Sequence, residues 1–207
     1  MTLFSTHLAN PSPDQIVLAP GDALLVVDLQ NDFLPGGALG IAGGDALLPV
    51  LRHYCNRFAA HRLPIIFSRD WHPPRHCSFV EQGGPWPVHC VADTPGSLAP
   101  AQFPIPSNVE LISKATNPEK DVYSVFEDTP LHDLLQRTHV RRLFIGGLAS
   151  DYCVLYSVRD ARGLGYDVCL LLDGIAAVNR QPGDGQRAID EMIRIGAIPV
   201  RLESLAA

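Results

Sequence analysis

The sequence predicts an α/β protein built on a parallel sheet with helices on both faces. Two observations carry that prediction. Short, continuous apolar runs alternate with segments of helical periodicity along most of the chain, the pattern of strands buried on both sides and joined by crossover helices. The chemically distinctive residues also follow the carboxyl ends of the predicted strands: Asp28, Asp70, Lys114 and the turn from Gly146 to Cys153. In an open parallel sheet those ends form one edge, and ligands bind there.

Taken in order, residues 1–20 read as an irregular lead-in broken by Pro11, Pro13 and Pro20. ALLVVDLQ (23–30) is the first strand, its apolar run ending in Asp28. A loop, NDFLPGGALG, leads to a helix predicted over 44–62, where Pro49 is tolerable in an early turn. A second strand, about 64–69, ends in the cluster Asp70-Trp71-His72. Residues 70–108 show no periodicity and hold many of the prolines and glycines; a loop this long within a domain marks an active-site or binding segment. NVELISK (108–114) is the third strand, and TPLHDLLQRT a short helix with Thr129 as its N-cap. RRLFIGG is the fourth strand, followed by a helix over 151–163. YDVCLLLDG (166–174), GDGQRAIDEMIRIGA and IPVRL complete the alternation as strand, helix and strand. No repeat or linker divides the chain, so a single domain over 1–207 is expected.

Composition narrows the class. The 207 residues are 46% hydrophobic and 18% charged, which suits a folded domain with a substantial core. A net charge of −6 without any basic cluster argues against nucleic acid and anionic membrane as partners. The five cysteines, at 55, 77, 90, 153 and 169, are an odd number with no CxxC pair, which fits a reducing compartment. No signal-peptide pattern and no apolar run of spanning length is present, so a cytoplasmic location is expected. Self-association into a homo-oligomer is left open.

The stretch GGLASDYCV (146–154) joins a buried strand to a helix that opens on Cys153. Free N–H groups and the positive dipole end there favour a thiolate. Small residues, among them Ala149, let backbone amides approach a substrate carbonyl as an oxyanion hole. The competing reading is a buried structural cysteine. A nucleophilic thiol needs a base. No histidine follows Cys153, which leaves Asp28, a strand-end carboxylate whose apolar setting raises its pKa. Lys114 could hold both by charge; alone, either residue also reads as a turn cap or a solvated lysine. Asp70 and His72, with His76 and then His89, offer carboxylate and imidazole ligands suited to zinc, iron or manganese. Phe33, Trp71, Trp86 and Tyr123 are aromatics that could pack on a flat substrate ring; taken singly, each reads first as ordinary core or lid packing. Cys55, Cys90 and Cys169 read as packing residues, and Cys77 as a loop residue without a partner.

These segments together carry a resemblance. VVDLQNDF (26–33), SRDWHPPRHCSF (68–79), GGPWPVHCVADTPG (83–96), Lys114, DVYSVF (121–126) and GGLASDYCVLYSVRDARGLGYDV (146–168) resemble the nicotinamidases of the isochorismatase-like cysteine hydrolases, in order, from about 23 to 200. The resemblance implies a Rossmann-type, three-layer α/β/α sandwich around a six-stranded parallel sheet. It implies a triad of Asp28 as base, Lys114 as its partner and Cys153 as nucleophile. A cis Leu148–Ala149 peptide would direct the amides of Ala149 and Cys153 at the oxyanion. Asp70, His72 and His89 would hold one divalent ion, zinc first, with Fe²⁺ or Mn²⁺ as alternatives and His76 close by. Phe33, Trp86 and Tyr123 would bind a pyridine carboxamide, with nicotinamide hydrolysed to nicotinate and pyrazinamide also accepted. Ala115 stands where glycine is common, Val88 where proline is frequent, and Ser150 where threonine is usual. The complete Asp/His/His set argues against the ureido- and N-carbamoyl-hydrolysing siblings, and the cysteine against isochorismatase itself.

Overall fold

The computed structural model describes residues 15–106 and 109–206. Six strands, β1 (Asp22–Val27), β2 (Ile65–Asp70), β3 (Glu110–Lys114), β4 (Arg142–Leu148), β5 (Asp167–Ala176) and β6 (Ile198–Val200), form one parallel sheet in the order β3-β2-β1-β4-β5-β6. Four α-helices, α1 (Leu47–Ala60), α2 (Leu131–Arg137), α3 (Cys153–Gly163) and α4 (Asp184–Arg194), flank it.

The central strand explains the layering. All six residues of β1 are buried, and alternate side chains leave a strand on opposite faces. Ala23, Leu25 and Val27 join one core with Leu135, Val154, Val158 and Met192 from α2, α3 and α4. Leu24 and Val26 join the other with Leu51, Tyr54 and Phe58 from α1. A run apolar at every position is therefore what a strand between two helical layers requires.

Several boundaries differ from the sequence-based expectation. β1 stops at Val27 because Asp28 turns into the left-handed region, at φ 46°, so Leu29 and Gln30 leave the ladder. The first helix begins in a 3-10 turn at Gly44 and is α-helical from Leu47. Thr129 is not the N-cap of α2: Pro130 holds that position, while the Thr129 hydroxyl accepts the Leu131 N–H at 3.2 Å. The last strand ends at Val200, and Leu202 falls in a 3-10 turn. Of the expected lead-in, residues 1–14 lie outside the described residues, as does Asn108. Ile16 is tied into the fold by a bridge to Leu205.

The long segment after β2 is ordered by pairing rather than by helices. His72 bridges to Val91, Phe79 bridges to Trp86, and 3-10 turns cover Val80–Gln82 and Pro95–Ser97. The His72–Val91 bridge brings two distant stretches of the segment together at the carboxyl edge of the sheet, where the His72 ring meets the His89 carbonyl.

Candidate active site

The sheet order reverses between β1 and β4, and crevices of doubly wound sheets open at such a switch point. Asp28 follows β1, and Lys114 ends β3 directly opposite Asp70 at the end of β2. Gly147 of β4 lies opposite Val27, with φ 117°. A side chain at Gly147 would collide with the Val27 carbonyl oxygen, so the close approach requires glycine. The Leu148–Ala149 peptide that follows is cis, and α3 then opens on Cys153. The Cys153 N–H, in the first turn of α3, is one of the helix's orphan donors.

Four groups meet behind the pocket. The Lys114 ammonium is 3.0 Å from Asp28 Oδ2, 2.5 Å from Asp70 Oδ1 and 3.3 Å from Cys153 Sγ. Lys114 is 1% exposed and Asp28 wholly buried, so the ammonium is far from a solvated strand-end lysine. Burial alone would lower the Lys114 pKa, but the charges of Asp28 and Asp70 hold it well above its usual range. Burial raises the Asp28 pKa against the opposing pull of Lys114. For Asp70 the desolvation is outweighed by Lys114, His72 and His89, and its pKa is lowered. Ser68 donates to Asp28 Oδ1 at 2.6 Å and accepts the Asp28 N–H at 3.2 Å. Asp28 Oδ2 faces the Lys114 ammonium and keeps a further lone pair to take a proton.

Cys153 differs from the expectation drawn from its helix position. Burial pushes its thiol well above the usual range despite the facing Lys114. Desolvation thus outweighs the helix terminus, and the resting group is a thiol beside a basic carboxylate.

The second cluster lies beside the first. The ligand atoms of Asp70, His72 and His89 all fall within 4.8 Å of one another. His72 Nδ1 meets the His89 carbonyl at 3.0 Å, and His89 Nδ1 meets the Pro87 carbonyl at 2.8 Å. A carbonyl only accepts, so both protons sit on Nδ1 and both Nε2 lone pairs are free to bind a metal. Burial lowers the His72 pKa to about 4, keeping that ring neutral. The donor set fits a divalent ion such as zinc. His76 is different: its Nε2 donates to the Lys120 carbonyl at 3.0 Å and its Nδ1 accepts from Ser78 at 2.7 Å. Its ring stacks on His72 at 4.3 Å, as a support with no lone pair to spare.

Over both clusters lies a cavity walled by Phe33, Leu39, Trp86, Tyr123, Tyr152 and Val178, with Asp70, His72, His89, Ala149 and Cys153 also lining it. Trp86 donates to the Tyr123 hydroxyl at 3.0 Å and stands edge-on to Tyr152 at 4.9 Å. Arg180 lies 5.1 Å from the Trp86 ring centre. Phe33, Asp70, His72, Trp86, His89, Tyr123, Ala149 and Cys153 thus line one cavity, with Asp28 and Lys114 behind Cys153. Trp71 does not line the cavity; it carries Arg69 on its face at 3.5 Å. Sequence reasoning missed Gln30, Ser68, Tyr152 and Val178. A signal existed for two: Ser68 shares a strand face with Asp70, and Tyr152 adjoins Cys153.

A thiol, a carboxylate and an ammonium at the mouth of a parallel sheet equip an α/β enzyme for cysteine-based acyl transfer. The chain belongs to the isochorismatase family, whose domain profile matches residues 22–204. It is 37% identical to a nicotinamidase of Escherichia coli K12 over 199 residues, covering 86% of this chain and 93% of that protein. Among solved structures, the pyrazinamidase of Pyrococcus horikoshii in complex with zinc superposes with a TM-score of 0.84 at 43% identity, covering 88% of this chain and all of that one. PnC1 from L. infantum in complex with nicotinate gives 0.84 at 33% identity, over 92% of this chain and 98% of that one.

Proposed function

We propose that the protein is an amidohydrolase that converts nicotinamide to nicotinate and ammonia, with pyrazinamide as a second substrate. The observation that carries this reading is the single ammonium of Lys114 in contact with Asp28, Asp70 and Cys153, which joins the nucleophile and the Asp/His/His set beneath one aromatic cavity. The nicotinamidase relative and the nicotinate-bound neighbour support the choice of a pyridine carboxamide.

Phe33, Trp86 and Tyr123 bind the flat ring and exclude water from it. Asp70, His72 and His89 would hold a divalent ion, whose Lewis acidity would help to orient and polarise the bound substrate. The reaction starts as the Cys153 proton passes to the open lone pair of Asp28 and the thiolate adds to the carboxamide carbon. Lys114 stabilises the thiolate by charge. The N–H groups of Ala149 and Cys153 receive the oxyanion. Collapse of the tetrahedral adduct breaks the C–N bond, and Asp28 returns its proton to the departing ammonia. Water, deprotonated by Asp28, then adds to the thioester; its collapse frees nicotinate and restores the thiol.

The test is ammonia release from nicotinamide by wild-type protein, by Cys153→Ala, and by wild type stripped with chelator and reloaded with zinc. Turnover is expected in the wild type, none in the variant, and loss then recovery on stripping and reloading. Release by Cys153→Ala at the wild-type rate would remove the nucleophile. Full activity in protein shown to be metal-free would remove the metal. A zinc-loaded wild type that releases no ammonia would redirect the search to other amides.

A further inference from the structure

The end of β2 is held on one edge by β3, but on the other edge its backbone partner runs out. β1 pairs with β2 from Leu24 opposite Ile65 to Val26 opposite Phe67, and β1 then ends at Val27. Asp70 thus lies beyond the last residues that β1 can reach. The Gln30 side chain takes over that edge. Its Oε1 accepts the Asp70 N–H at 2.8 Å, and its Nε2 donates to the Asp70 carbonyl at 2.8 Å. A primary amide that meets the N–H and C=O of one residue reproduces what a neighbouring strand would offer.

The second proton of Nε2 goes elsewhere, to the Ser97 carbonyl at 2.9 Å. Ser97 closes the stretch that begins at His89 and is folded by turns from Val91 to Thr94 and from Thr94 to Ser97. Asn31 ties the same stretch through its N–H to Leu98 and its side chain to Pro95. Gln30 is 2% exposed and every donor of its side chain is used. It therefore grips the backbone carrying Asp70 and the segment following His89 with one rigid planar group.

We infer that Gln30 is a positioning residue that sets Asp70 relative to His89, and so fixes the spacing of the metal-binding set. The inference rests on the metal reading above. Gln30 does not line the cavity, so it acts through the backbone it holds. Outer groups that orient ligands in this way contribute about 10- to 100-fold to metal affinity.

Two variants test it. Gln30→Met keeps the volume and removes all three hydrogen bonds; Gln30→Glu keeps the acceptor for the Asp70 N–H but turns an oxygen toward the two carbonyls. Zinc affinity is measured by competition with a chromogenic chelator, and the visible spectrum of Co²⁺-loaded protein reports ligand geometry. Circular dichroism verifies folding, so that whichever variant folds gives the answer. The expected result is zinc affinity lower by about 10- to 100-fold, with displaced Co²⁺ bands, in protein that retains its secondary structure. Wild-type affinity and an unchanged Co²⁺ spectrum in a folded variant would reduce Gln30 to a structural tie and leave the metal reading standing. A wild type that binds neither ion would overturn both.

Discussion

At the scale of single residues, the site depends on charges kept dry. Asp28 has one carboxylate oxygen held by Ser68 and the other facing the Lys114 ammonium at 3.0 Å. Its backbone, at φ 46°, lies in a region that aspartate and asparagine tolerate better than most residues. Asp28→Asn is therefore the variant that removes the proposed base while fitting the turn. Its turnover of nicotinamide should fall by about 10²- to 10⁴-fold, with the thermal midpoint little changed. Steady-state kinetics beside a melting curve decides the matter, and normal turnover would take Asp28 out of the mechanism. Ala115 shows the same geometry without the same excuse: its φ is 52°, a left-handed conformation that glycine adopts at less cost.

At the scale of elements, β4 does two jobs. Its buried residues fill both cores, and its end delivers the turn that leads to Cys153. The register with β5 shifts between Ile145 and Gly147, and Gly147 then packs its Cα against the backbone of Val27. Gly147→Ala would place a methyl where the Val27 carbonyl oxygen sits and force a left-handed φ on alanine. A loss of at least about 3 kcal/mol is expected, read as a lower denaturant midpoint. A midpoint equal to that of wild type would show that the strand end shifts freely. The segment from Trp71 to Pro106 makes the complementary point, since bridges and 3-10 turns alone bring His89 to the site.

At the scale of the whole molecule, the two helical layers enclose the central strands while the edge strands β3 and β6 stay partly exposed, and thiols are part of that enclosure. All five cysteines are free; Cys90, Cys153 and Cys169 are buried, while Cys55 and Cys77 are half-buried. No described helix is long and apolar enough to cross a membrane. Cys169, in the middle of β5 and 1% exposed, has its pKa pushed up to about 11 by burial. The unfolded thiol loses its proton near 9.0 and the folded one does so later. Between these values the unfolded state binds fewer protons, so this contribution to stability is complete below pH 9 and falls as pH rises toward 11. The slope reaches about 1.4 kcal/mol per pH unit, about 3 kcal/mol in all. Denaturant midpoints from about pH 8 to 11 should fall less steeply for Cys169→Val than for wild type. Equal slopes would mean that this thiol ionises alike in both states.

The sequence by itself determined the alternation of strands and helices, because burial on both faces demands continuous apolar runs. It also determined the candidate residues, because the strand ends of a parallel sheet converge and because short motifs such as DWHP and DYCV are local. Only the tertiary structure decided that Lys114 touches three groups at once, since burial of an ammonium depends on carboxylates brought in from two other strands. Only it decided that Cys153 rests as a thiol, since local position argues for the helix dipole while desolvation is a property of the surrounding fold. The Ser68 and Gln30 hydrogen bonds were hidden for a related reason. The Ser68–Asp28 and Gln30–Asp70 bonds each span 40 residues of chain, and the partner of a buried polar side chain is chosen by packing across the sheet, not by its neighbours in sequence.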